Sequence, residues 1–350
     1  MTATAAFGWL RANLFNTWWN GALTVLILCL GLWLLPGFID WAVLKASVTA
    51  PDDRVCQEAG GACWAFIADW LRFIVFGRYP YAEQWRPTVV LLIFAVLLLT
   101  SVDRRLKGRW LAIAWVVGLV AVVVLMAGGL PGLPHVDSEL WNGLPLTLIL
   151  AAGGLGLSYP LALLLALGRR SPLPAVRMLS VLYIEVVRGV PFIAWLFLML
   201  VLLPLFLPPG FSIGKLWRAE VAFALFIAAY QAEVVRGGLQ AIPRGQYEAA
   251  DALGLGYWKK MRLIVLPQAL TITIPAQVNN FIGAFKDTTL ISIIGLFDPV
   301  LDTNTALNDP AWRLAYIEGY LFIAALYFAF GYFMSLYSRR LEKSLSQGRR

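Results

Sequence analysis

Few side chains in this 350-residue chain have the types and spacing to do chemistry, and most of those are charged groups in apolar surroundings. Its one histidine, His135, stands in a short loop rich in Pro and Gly. A single imidazole cannot build a metal site or a catalytic triad, so neither is expected. Gly214-Lys215 is followed by Leu216 and lacks the earlier glycine of a phosphate-binding loop, which argues against nucleotide hydrolysis by this chain. What remains is Glu185-Val186-Val187-Arg188-Gly189, which recurs letter for letter as Glu233-Val234-Val235-Arg236-Gly237. Glu and Arg three apart share a helical face and can pair. Pairing lowers the penalty of holding either charge in or near lipid. Two readings stay open: ion pairs that only stabilise helix ends, and a gate. With Tyr230, Gln231, Asn279, Asn280, Lys286, Asp287, Thr288 and Thr289, these residues are the candidates for a polar path.

The elements that must position them are membrane helices. The chain is 60% hydrophobic and 14% charged, far from the roughly even apolar share and quarter charged of soluble domains. Runs long enough to span lie at about 18–36, 87–102, 110–128, 144–168, 179–207, 219–236, 262–284 and 315–337. The first has no small-residue cleavage site after it and reads as a retained helix. A further stretch, 63–77, contains Asp69 and Arg72 and is expected to lie at the interface. With the N-terminus inside, the inner segments hold nineteen of the 28 basic residues and six of the 20 acidic ones. That bias predicts eight spans with both termini cytoplasmic. It also accounts for the net charge of +8 as a topology signal, so nucleic acid drops out as a partner.

The long outer loop 37–86 holds Cys56 and Cys63. A disulfide is expected if that side is oxidising, two free thiols if it is not. Cys29 reads as a packing residue within the first span. Ala151-Ala152-Gly153-Gly154-Leu155-Gly156 would let another helix approach closely in lipid. Pro160, Pro191, Pro204 and Pro275 fall within predicted spans and are expected bend points.

Between the sixth and seventh spans lies a polar island with helical character, 244–270. It carries Glu248-Ala249-Ala250, then Gly254, and further on Ile264, Leu266 and Pro267. Ala249, Ala250 and Leu253 are expected on one face, with Gly254 ending the helix. A face of small residues lets a partner's backbone come near.

That spacing resembles, position for position, the EAA loop of binding-protein-dependent ABC importer permeases. The same resemblance covers Tyr183-Ile184-Glu185, Arg188-Gly189-Val190-Pro191, Ala229-Tyr230-Gln231-Ala232-Glu233, Arg236-Gly237 and Lys286-Asp287-Thr288-Thr289-Leu290. These look like the polar-amino-acid (histidine/glutamine permease-like) branch, and the N-terminal extension like the M-type subunit of general L-amino-acid importers. Val190 departs from the small polar residue this branch often has there. The resemblance implies an all-α membrane protein of about eight transmembrane helices. It divides into an extension with about three spans (1–143), a five-helix MetI-like core (144–338) and a basic cytoplasmic tail (339–350). It implies a non-catalytic subunit of the bacterial inner membrane, binding no cofactor itself. ATP and Mg would be used by partner ATPase subunits docked at Glu248, Ala249, Ala250, Leu253, Gly254, Ile264, Leu266 and Pro267. A second permease subunit, a paralogue forming a heterodimer, and a periplasmic amino-acid-binding protein would complete it. The alternative is an ion-coupled secondary amino-acid transporter, which would need no docking loop.

Overall fold

The computed structural model describes residues 3–102 and 108–346. Arg104, Arg105, Lys107, Arg349 and Arg350, which entered the charge count, lie outside them, as does the side chain of Lys343. Among the described residues the regular structure is helical. Among the described residues seven helices are long and apolar enough to cross a membrane, or eight if a bent pair counts as one span. The chain divides into two compact units, Met1–Trp70 with Leu307–Gly319, and Leu71–Ala306 with Tyr320–Arg350. The sequence had placed its boundary at 143.

In the first unit, α1 (Ala3–Asn13) precedes α2 (Trp18–Ile39), whose N-terminus is capped by the Thr17 hydroxyl, 3.3 Å from Asn20 N. No residue of α2 is buried. α3 (Asp53–Ala59) is capped by the Asp52 carboxylate, which accepts from Arg54 N and Val55 N, and it ends at Gly60. Gly60 has φ +66°, a conformation glycine adopts without strain. Cys56 on α3 is bonded to Cys63, with Cα atoms 5.3 Å apart. Asp53 then reaches the far end of the chain. Its amide donates to Ala311 O at 2.8 Å and its carboxylate accepts from Leu314 N at 2.7 Å. Cys63 N donates to Glu318 Oε1 at 2.8 Å. α4 (Trp64–Phe76), the expected interfacial helix, has 13 residues and is too short to span.

The first spans of the second unit are α5 (Trp85–Val102) and α6 (Arg109–Ala127), which pack on each other. Trp115 Nε1 donates to Ser101 Oγ at 3.0 Å between them. The fully buried Arg86 donates to Pro134 O at 2.8 Å and pairs with Glu83 at 2.9 Å. These two spans pack with the core helices, which is why the division falls before them. α7 (Gly143–Arg169) carries Pro160 without a break. α8 (Pro174–Gly189) and α9 (Phe192–Val201) follow, and the expected single span 179–207 is instead broken between them by a bend of 108°. The cause is local. Val190 precedes a proline and is extended (φ −104°, ψ 133°), and Pro191 has no amide to continue the helix. Pro204 lies in a separate short turn, Leu203–Phe206.

α10 (Lys215–Gln240) is the most buried span. Tyr183 OH donates to Leu225 O and Trp195 Nε1 to Ala222 O, both at 2.8 Å, which holds the bent pair against it. α11 (Arg244–Ala252) and α12 (Tyr257–Lys260) lead through π turns at Met261–Val265 into α13 (Leu266–Asp287). A β-carbon on Gly238 of α10 would lie 2.7 Å from Ala269 O of α13, so these two backbones touch.

After Thr288–Ile294, α14 (Pro299–Ala306) is capped by Asp298, which accepts from Leu301 N at 3.0 Å and from Tyr327 OH at 3.3 Å. α15 (Tyr316–Ser346) is the last span. Asp298 and Asp302 are fully buried, with Asp302 against Gly77 and Asn142. Burial pushes the Asp298 carboxyl up to about 6, and burial together with the Asp298 charge pushes Asp302 up to about 9.

Two outcomes follow from this packing. Gly238→Ala must displace a backbone carbonyl, at a cost of about 1 to 3 kcal/mol, whereas Gly237→Ala meets open space. Folded yield in detergent, followed by size-exclusion fluorescence, should drop for the first and hold for the second. The Asp302 carboxyl binds its proton more tightly folded than unfolded, so stability falls as pH rises from the ordinary carboxylate range to about 9. Asp302→Asn should therefore raise the unfolding midpoint at pH 8 and flatten its decline between pH 5 and 9.

Candidate functional site

The 244–267 segment folds as a short helix, a tight stop and a return. Pro243, with its fixed φ, starts α11. Leu255 N donates to Ala250 O and Gly254 N to Asp251 O, with Gly254 at φ +70°. This is the paired C-terminal closure that glycine makes cheap. Lys260 pairs with Asp251 across the turn. Ala250 is fully buried, whereas Glu248 and Ala249 are exposed and Leu253 is 75% exposed. The expected common face for Ala249, Ala250 and Leu253 is thus corrected. Neighbours on a helix point about 100° apart, and Ala250 is the one turned inward. Outward lie Ala249, Leu253, Gly254 and Trp258, the last 70% exposed. Ile264 and Leu266 are half-buried, and Pro267 is exposed in the first turn of α13.

The two repeated strings behave differently. Glu233 and Arg236 pair as spaced, with Arg236 Nε 2.9 Å from Glu233 Oε1. Glu185 and Arg188 do not pair with each other. Glu185 is bound instead by Arg169, the last residue of α7, at 2.8 Å, and the same guanidinium group lies 3.4 Å from Glu233. Arg188 turns its guanidinium over the Tyr230 ring, 5.4 Å from its centre. The first string closes α8 rather than opening a span, so both copies end helices, and Arg169 ties their glutamates together.

The remaining path candidates sit elsewhere. Gln231 is fully buried, its amide 3.5 Å from Gln277 O of α13. Asn280 and Asp287 are half-buried, and Asn279 is exposed. Thr288 and Thr289 give their hydroxyls to Phe285 O and Lys286 O within their own turn. Thr289 and Lys286 line a groove of about 650 Å³ with Tyr320, Tyr327 and Tyr332. Among the described residues no group of three or more His, Cys, Asp or Glu could hold a metal ion. His135 stays in its loop.

Sequence reading missed three groups. Arg169 and Arg170 looked like topology charges, because their partners lie far along the chain. Glu220, 4% exposed, was passed over within an apolar run. Its carboxylate lies against Gly153 without a hydrogen-bond partner.

Residues 158–347 match the family of binding-protein-dependent transport system inner membrane components. The chain belongs to this family. The match begins inside α7 and takes in both repeated strings and the 244–267 turn. Two relatives align over almost the full length. The inner membrane amino-acid ABC transporter permease protein YhdY of Escherichia coli K12 is 47% identical, covering 99% of this chain and 95% of the relative. The glutamate/glutamine/aspartate/asparagine transport system permease protein BztC of Rhodobacter capsulatus is 38% identical, covering 100% and 96%. A crystal structure of an amino acid ABC transporter with histidines superposes with a TM-score of 0.50 at 31% identity. It covers 57% of this chain and 90% of that one.

Glu233 faces both Arg169 and Arg236. Glu233→Gln should leave membrane levels near normal and lower uptake several-fold in cells that depend on this transporter. Uptake of labelled solute, normalised to protein by immunoblot, measures it.

Proposed function

We propose that this chain is the permease subunit of an ATP-driven importer of polar or general L-amino acids. It forms the translocation path with a second permease subunit, a paralogue, and contains no nucleotide site of its own. ATP and Mg belong to a separate ATPase pair, which docks on the surface formed by Glu248, Ala249, Leu253 and Gly254. A loaded periplasmic binding protein meets the opposite side. The observation that carries the reading is the closed turn after α11, which presents small and apolar side chains outward on a polar segment. An exposed Leu253 and Trp258 beside alanine and glycine are costly in water unless a partner covers them.

Basic residues concentrate on the side that this arrangement makes cytoplasmic, with both termini there. Alternating access would rock the spans between outward- and inward-facing states, with the 108° break at Val190-Pro191 and the proline-bearing helices as places where the bundle can flex. Ile264, Leu266 and Pro267 would then seat the docking helix on α13, while Gln246 and Gln268, 3.0 Å apart, tie the two together. Polar side chains at Tyr230, Gln231, Asn280, Asp287, Thr288 and Thr289 supply groups for a zwitterionic solute. An ion-coupled carrier is the poorer reading, because it leaves the exposed turn without a purpose.

Reconstituted with its ATPase, companion permease and binding protein, the chain should drive vanadate-sensitive uptake. Gly254→Val forces a β-branched residue into positive φ and should cut that uptake several-fold, with Gly254→Asn intermediate. Uphill uptake by this chain alone would overturn the reading.

A further inference from the structure

Arg169 and Arg170 are adjacent at the end of α7 and face different partners. Arg169 reaches Glu185 on α8 at 2.8 Å and Glu233 on α10 at 3.4 Å. Arg170 Nη1 donates to Leu239 O at the end of α10 at 2.7 Å and to Tyr247 OH on α11 at 3.1 Å. Tyr247 OH donates to the same Leu239 carbonyl at 3.1 Å, closing a triangle of three elements. The arginine plane also lies over the tyrosine ring, 5.8 Å from its centre. Arginine suits this place. Its planar fork can bond two partners at once, and its charge complements the C-terminal end of a helix.

Arg170 thus joins α11 to the ends of α7 and α10, and the neighbouring Arg169 holds the junction's two acidic groups. We propose that Arg169-Arg170 is a two-way splice that carries displacement of α11 to the Glu185–Arg169–Glu233 junction. A shift of Tyr247 pulls on Arg170 and on the end of α10, and the shared backbone of α7 passes that movement to Arg169. Both arginines are positioning residues, acting through Glu185, Glu233 and Tyr247 rather than on solute. The inference rests on the reading of α11 as the ATPase docking helix, and it adds the route by which force leaves that helix.

The test uses the complete transporter in liposomes, with ATP hydrolysis and uptake of a labelled L-amino-acid mixture measured in parallel. Arg169→Gln, Arg170→Gln and Tyr247→Phe should each lower the uptake obtained per ATP hydrolysed by roughly tenfold, the size of a usual coupling between sites. Arg169→Lys, which keeps a charge between the two glutamates, should recover most of that ratio. A purely structural role would lower hydrolysis and uptake in proportion, and an unchanged ratio in all three variants overturns the splice. Where an arginine variant fails to assemble, Tyr247→Phe, which removes one hydroxyl, decides the matter alone. Uptake by the wild type without its ATPase would overturn the docking reading and the splice together. A normal wild-type ratio with indifferent variants overturns only the splice.

Discussion

Close approach between α7 and α10 is the constraint on which the core depends. Lipid provides no hydrophobic drive to bring helices together, so contact must come from backbones that nearly touch. Gly154 allows it: a β-carbon there would fall 2.4 Å from the Phe223 ring. Gly153 does the same against the Glu220 carboxylate, also at 2.4 Å. Gly168 repeats the device between α7 and α8, where a β-carbon would sit 2.3 Å from Ser180 Oγ. The buried cluster that includes Leu146, Leu150, Ala219, Phe223 and Ile227 is the product of that approach.

The polar features follow from it. With α7 and α10 packed along their lengths, their last turns come out side by side, and the charges ending α7 meet the repeated glutamates. Arg169 then has two carboxylates within reach, which explains why Glu185 forsakes its own Arg188. A second cluster, around Val235, Leu239, Ile242 and Val265, lies beneath the same ends, and the half-buried Tyr247 of α11 packs against it. α11 is thus mounted directly on the ends of α7 and α10, through Arg170, Leu239 and Tyr247.

Much of this was legible in order along the chain. Span positions, the non-spanning 63–77 helix and the turn at Gly254 came from composition and local backbone rules, which depend on near neighbours. The i,i+3 pair of Glu233 and Arg236 was legible for the same reason. Glu185 and Arg188 have identical spacing and went another way, because pairing depends on which third residue arrives. Pro191 was named as a bend point among four prolines; that the chain breaks there, by 108°, with Tyr183 and Trp195 bonded to α10 on either side, is seen only in the structure. Glu220 could have been noticed as a lone carboxylate within a span, although its burial against Gly153 could not.

Sequence alone determined what each segment could be. Hydropathy sets which stretches enter lipid, and the EAA spacing marks the family, because both are properties of consecutive residues. Tertiary structure decided which residues meet. Arg169 between Glu185 and Glu233, Arg170 on Tyr247, and Asp53 on the 311–314 backbone all join positions distant in the chain. Such contacts exist only after helix packing has fixed the ends in space, and the local pattern of a charged residue says nothing of which distant group will stand beside it.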